Sequence, residues 1–210
     1  MKLYSYIMAY DYGFAPNPFY GWCTLATCKP AIRRSASVGD WIIGTGAKTK
    51  YDYAGRLIYA MRVEEAITFN QYWADPRFFL KRPVLNGSLK QVYGDNIYHK
   101  DERSGFWIQA DSHHSYEDGS PNSGNVARDT RADRVLVSQT FVYYGEGAPE
   151  IPKRFRLFGS AKEDICAKRQ GQIKPSPALS QAFVRWLTER GELGYRGDPL
   201  EFRRHRRAGC

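Results

Sequence analysis

Short apolar runs separated by turn signals fill the first 65 residues, and no other feature limits the fold of this chain as strongly. Leu3–Tyr10, Trp22–Thr27, Trp41–Gly46 and Arg56–Val63 are interrupted by Gly13-Phe14-Ala15-Pro16-Asn17-Pro18 and by Gly39-Asp40. Runs this short, bounded by Gly and Pro, read as strands. Leu57, Tyr59, Met61 and Val63 alternate with Arg56, Ile58, Ala60 and Arg62, the period of a sheet or barrel wall with one apolar and one mixed face. A chain of 210 residues predicts one globular domain with at most a small appendage, and 42% hydrophobic residues suffice for a core. No apolar run reaches the roughly 18 residues of a membrane span. Tyrosines and an aspartate interrupt the N-terminal stretch where a signal peptide is unbroken. A cytoplasmic protein with no membrane partner is expected.

Helices are signalled at three places. Thr68 caps a short helix through Tyr72 and Trp73 that stops before Pro76. Ser160 and Glu163 have capping-box spacing for a short helix through Ile165 and Cys166. Ser176-Pro177 opens a helix whose Leu179, Phe183, Trp186 and Leu187 form one apolar stripe, ended by Gly191. Pro149 and Pro152 mark a change of character, which predicts a domain over 1–160 and a basic helical extension over 161–210. Between the strand regions, residues 82–125 are polar yet carry Tyr93, Tyr98, Phe106, Trp107 and Tyr116, the composition of a functional loop.

Charge is unevenly placed. Residues 1–150 carry 17 Lys and Arg against 16 Asp and Glu, whereas residues 151–210 carry 14 against 6. An excess gathered in one segment suits a polyanion such as DNA or RNA, or else a solvated tail with no partner. Arg33, Arg34, Arg203, Arg204, Arg206 and Arg207 are the candidate phosphate contacts.

Two prolines bracket Asn17 and fix an amide that both donates and accepts, as the edge of a nucleobase requires; a rigid turn is the simpler use of the same residues. Trp22 and Trp41, with Thr45, Asn96 and Tyr98, are the other candidate base contacts, since stacking on aromatic faces holds bases without regard to sequence. Most aromatics of such a chain belong to its core. Asp11, His99, His113 and His114 are candidate acid–base groups, and of two adjacent histidines only one is expected to face a given site. Lys90 is a candidate for stabilising negative charge.

Four cysteines, unevenly spaced, do not form a disulfide framework. Cys23-x4-Cys28 is loose for zinc and no second thiolate pair follows, so no metal is expected. Cys23, inside an apolar strand, reads as an inert thiol. Motifs for triphosphate, dinucleotide, hydrolase-elbow and zincin chemistry are missing, and no cofactor is implied.

The segments KLYSYIMAYDYGFAPNPFYGWCTLATCKPAIRRSASVGDWIIGTG, AGRLIYAMRVEEAITFNQYW, NGSLKQVYGDNIYH and DSHHS together resemble the second type of nucleotide-modification-associated domain, over roughly residues 1–160. That group is associated with nucleic-acid modification and phage–host conflict. Gly39-Asp40-Trp41-Ile42, with the strand and Tyr72-Trp73 helix that follow, is also similar to the PUA-like superfamily that includes EVE, YTH and ASCH domains. The resemblance implies an α+β fold: a small, strongly curved β-barrel with short peripheral helices and a C-terminal helix, and a pocket that holds a modified base between aromatics.

Two functions are thereby expected, with a third beside them. The first is recognition of a modified nucleotide or base in nucleic acid, DNA foremost. The second is an enzyme of nucleotide or base modification working through Asp11 or a histidine. The third is a protein-interaction module whose Leu179–Leu187 stripe docks a partner in a defence complex.

Overall fold

The structure, a computed structural model, describes residues 1–48, 52–168 and 171–207, with side chains as far as residue 204. The elements begin with β1 (Leu3–Met8), β2 (Cys23–Leu25), α1 (Pro30–Ser35), β3 (Trp41–Gly46), β4 (Leu57–Arg62), β5 (Glu65–Ile67) and α2 (Phe69–Ala74). A 3-10 turn at Pro76–Lys81 leads to α3 (Leu89–Val92), β6 (Tyr98–Lys100), β7 (Trp107–Gln109), α4 (Ser123–Asp129), β8 (Val135–Ser138) and β9 (Phe141–Tyr143). The chain then forms β10 (Gln172–Ile173), α5 (Pro177–Glu189), β11 (Gly194–Tyr195) and α6 (Phe202–Arg207). Two compact units result, one of Met1–Asp11, Ala36–Glu64 and Ser138–Cys210, the other of Tyr12–Ser35 and Glu65–Val137. The boundary expected near residue 160 falls inside the first.

The first unit is built on a six-stranded sheet in the order β10-β1-β3-β4-β9-β11. β1 and β3 run parallel, from Leu3 opposite Trp41 to Met8 opposite Gly46, and β4 lies antiparallel to β3. Gly44 lets the strands close, because a Cβ there would collide with the Met8 sulfur and the Tyr59 ring. The alternation in 56–63 predicts one mixed face, yet Ile58 and Ala60 are as fully buried as Leu57 and Tyr59. Both faces of this strand are covered.

Among the described residues no sheet closes into a barrel, which corrects the curved barrel that the PUA-like resemblance implies. The six-stranded sheet ends at the two-residue strands β10 and β11, while β2, β8 and β5 pair with one another in a separate sheet and β6 pairs only with β7. The α+β class stands.

Ser176 caps α5 by accepting from the Leu179 N–H, with Pro177 in the first turn. Leu179, Phe183 and Leu187 are buried, and the Phe183 ring meets Phe155 edge-on at 5.2 Å. Each such side chain contributes about 1.5–3 kcal/mol on burial. Three of the four residues of the stripe expected to dock a protein partner are therefore covered by their own unit, and the fourth, Trp186, is half-buried against Phe155. The helix expected from Ser160 does not form, because the Glu163 carboxylate accepts from the Ser176 N–H at 2.7 Å and its backbone bridges to Phe158. No described helix is long and apolar enough to cross a membrane.

The second unit holds the three-stranded sheet β2-β8-β5, the β6–β7 hairpin and helices α1 to α4. Thr68 and Gln71 form a complete capping box at the start of α2. Asp75 then caps the 3-10 turn that delivers Lys81 to the interior.

Candidate active site

Cys28 follows β2 and, with Lys29, takes a left-handed backbone conformation (φ 56° and 40°) before Pro30 opens α1. Such angles are unfavourable for residues with a Cβ and persist only when surrounding contacts impose them. Arg33 of α1 supplies those contacts. Fully buried, it donates from Nε to the Cys28 carbonyl at 2.9 Å and from Nη1 to the Ala132 and Arg134 carbonyls at 2.6 and 2.7 Å. Nη2 donates to the carbonyl of Asp129, the last residue of α4. One guanidinium thus ties the Cys28 turn to the end of α4, and burial pulls its pKa down to about 10.

Asp129 is fully buried and its carboxylate is saturated with donors. Oδ1 accepts the Cys28 N–H at 3.0 Å and Arg128 Nε at 3.1 Å; Oδ2 accepts the Tyr98 hydroxyl at 3.1 Å and His114 Nδ1 at 2.9 Å. The other His114 nitrogen, Nε2, lies 3.9 Å from Cys28 Sγ, within reach of a sulfur hydrogen bond. The main chain of His114 is also held, its carbonyl accepting from Asn125 Nδ2 at 2.8 Å and Gln109 Nε2 at 3.2 Å. Cys28, His114 and Asp129 therefore form a chain of sulfur, imidazole and carboxylate, with the sulfur end half-exposed and the carboxylate end buried.

Electrostatics follow from that order. Burial disfavours the charged form of His114, but the hydrogen bonds and negative charge of Asp129 and Cys28 outweigh it and lift the imidazole to about 9. Despite its burial, the Asp129 carboxyl is held below its ordinary value by His114 and Arg128. Next door, His113 is still exposed at the surface, yet its ring packs with Tyr12, Phe14 and Tyr93. Partial desolvation and the charge of His114 push it down to about 4. Two adjacent histidines thus carry opposite shifts, and only His114 meets a carboxylate.

The remaining candidates fall into other surroundings. Asn17 is fully buried: Nδ2 donates to the Tyr93 carbonyl at 2.9 Å and Oδ1 accepts from Lys81 Nζ at 2.6 Å. Asn96 donates to the Tyr72 and Phe78 carbonyls at 3.0 and 3.3 Å, and Trp22 packs on Phe78 beneath the Arg77 guanidinium. Tyr98 supports Asp129. His99 stacks on Trp73 at 4.1 Å between ring centres. Asp11, Trp41 and Thr45 belong to the first unit, where Asp11 accepts from the Tyr143 hydroxyl and the Leu200 N–H, Trp41 is buried, and Thr45 donates to the Tyr6 carbonyl at 3.3 Å. Lys90 lies near the Phe19 ring.

Of the arginines, Arg33 serves backbone carbonyls, Arg34 is exposed and donates to the Arg131 carbonyl at 2.8 Å, and Arg203 pairs with Glu146 at 3.0 Å. Arg204, largely exposed, lies 3.6 Å from Glu201. The side chains of Arg206 and Arg207 lie outside the described residues.

Sequence reasoning named His114 but missed Cys28 and Asp129. It weighed Cys28 only as a zinc partner of Cys23, whose fully buried thiol is pushed far above its ordinary value by desolvation. Among the described residues, no group of three or more His, Cys, Asp or Glu is arranged to hold a metal ion. The one local signal available was Lys29-Pro30, which places Cys28 just ahead of a helix.

No curated protein and no solved structure matches the chain. A family model does: the nucleotide modification associated domain 2 model matches residues 1–206, reaching past the end expected near residue 160, and the chain belongs to that family.

Proposed function

We propose that this protein is a thiol enzyme of nucleotide or nucleic-acid modification, with Cys28 as nucleophile, His114 as its proton partner and Asp129 as the positioning carboxylate. The observation that carries the reading is the run from Cys28 Sγ through His114 to Asp129, at 3.9 and 2.9 Å. A sulfur beside an imidazolium oriented by a third group is the arrangement of covalent thiol catalysis. Separations at a nucleophile are commonly longer without substrate than with it.

The reaction class that fits is acyl transfer to or from a nucleotide. The thiolate attacks a carbonyl carbon, an S–C bond forms and the carbonyl electrons move to oxygen. When the adduct collapses, the bond to the leaving nitrogen or oxygen breaks and that atom takes the proton from His114 Nε2. Water or a nucleotide amine then attacks the thioester, His114 receives its proton, and the thiolate leaves. The family's association with nucleotide modification supports the substrate class.

Iodoacetamide labelling read by peptide mass spectrometry tests the nucleophile without knowledge of the substrate. Cys28 is expected to label faster than Cys23 and Cys166 at pH 7, and His114→Gln to slow it at least tenfold with the other two unchanged. Equal Cys28 rates in the two proteins would overturn the assignment.

A second reading, recognition of a modified base without chemistry, draws on the aromatic surface of half-exposed Tyr12 and exposed His113 beside His114. It predicts selective binding of one modified nucleoside that survives Cys28→Ala, with no product formed by the unaltered protein.

A further inference from the structure

The parallel strands β1 and β3 of the first unit end together at a cavity of about 360 Å3. Binding sites of open sheets with parallel strands gather at such carboxyl ends. Its walls are small and largely apolar, with Ile7 near the end of β1 and Ala9 after it, Ala47 after β3, and Ala54 and Ala167 facing in. Thr45 also lines it, its hydroxyl engaged by the Tyr6 carbonyl at 3.3 Å.

Two cations stand at this cavity. Arg156 Nε and Nη2 grip the Asp164 carboxylate at 2.6 and 3.0 Å, which fixes the guanidinium plane. Nη1 lies over Gly55, where a Cβ would collide with it, so a glycine at the wall is what admits the arginine. Lys48 lines the same cavity from an exposed position. Asp164 offsets one of these two charges, and among the described residues no carboxylate lines the cavity itself, so one of the two remains for a ligand.

Size and charge together select the occupant. The volume is at the lower end of the roughly 300–1,000 Å3 of small-molecule sites, too small for a polymer and matched to one nucleotide. We infer that this cavity binds a nucleoside 5′-monophosphate, its base and sugar against the alanine walls and its phosphate on Lys48 and Arg156 Nη1. The choice of a nucleotide among small anions rests on the nucleotide-modification reading; the cavity and its charge do not.

The test is calorimetric titration of the full chain carrying Cys28→Ala, so that no turnover intervenes. The probes are the ribo- and deoxyribonucleoside 5′-monophosphates, their parent nucleosides and inorganic phosphate. At least one monophosphate is expected to bind at a single site, at least tenfold tighter than its nucleoside or phosphate alone. Lys48→Ala should weaken it about tenfold, and Ala54→Trp, a replacement at an exposed wall position, should abolish it while the melting temperature holds. The inference fails if no monophosphate binds at millimolar concentration, if the nucleoside binds equally well, or if Ala54→Trp leaves binding intact. Binding lost with His114→Gln but not with Ala54→Trp moves the ligand to the thiol site and leaves the proposed enzyme standing. Iodoacetamide labelling of Cys28 in the unaltered protein tests that enzyme separately.

Discussion

The second unit holds two buried polar clusters made of much the same materials, and they differ in what they leave open. In one, Lys81 Nζ donates to Asn17 O, Asn17 Oδ1 and Trp22 O at 2.9, 2.6 and 3.0 Å, and Asp95 accepts from Thr24 and Tyr72, each at 2.7 Å. Lys81 and Asp95 are both fully buried. In the other, Asp129 is equally buried and saturated, but its hydrogen bonds lead outward through His114 to a half-exposed sulfur. Sealed on all sides, the first cluster can only hold the fold; open at one end, the second can meet a substrate. A shifted pKa alone does not separate them, since burial pulls Lys81 down to about 8 and pushes Asp95 up to about 6.

Lys81→Met is expected to produce the largest change. It leaves the Asn17 and Trp22 acceptors and the Asp95 charge buried without their cation, and loss of one partner of a buried charge pair costs about 3–5 kcal/mol. Urea unfolding should show that loss while Cys28 labelling per folded molecule stays the same; a loss below about 1 kcal/mol would make the sealed cluster dispensable.

Next come the pH windows. His114 is lifted in the folded state, so the stability it contributes is fully present below the ordinary histidine value near 6.5 and is lost as pH rises through about 9. Stability of the unaltered protein minus that of His114→Gln should fall by a few kcal/mol across that range. Asp95 is also raised in the folded state: its contribution is present below about 3.8 and lost as pH rises through about 6. Asp95→Asn should remove that more acidic step and leave the alkaline one. A single step shared by both variants would merge the two clusters into one titrating system.

Two adjacent arginines give the smallest effect and its control. Arg34→Ala should change stability by less than about 0.5 kcal/mol, as exposed positions do. Arg33→Met should cost several times more and slow Cys28 labelling, because it frees the Cys28 turn from α4. Equal effects of the two would show that the Arg33 contacts do not hold Cys28 in place.

Signals that act within a few residues were legible in advance. The Thr68 cap, the Ser176-Pro177 helix start and the Gly39-Asp40 turn all depend on neighbours in the chain and all form. Ser160 and Glu163 carry the same kind of signal and fail, because Glu163 meets the Ser176 N–H instead. Of the site, His114 was among the acid–base candidates through its polar, carboxylate-bearing loop, on equal terms with His99 and His113. Asp129 did not, since nothing near it distinguishes it from other helix-end carboxylates.

The sequence by itself determined the strand-rich α+β character, the helix starts at Thr68 and Ser176, and the family. Tertiary structure decided that the sheets stay open, that most of the apolar stripe of α5 is covered, and that Cys28 meets His114 and Asp129. The physical reason is distance along the chain. Caps and turns draw on neighbouring residues, whereas the Cys28–Asp129 hydrogen bond joins residues 101 apart, and only the packing of α1 against the end of α4 through Arg33 brings them together.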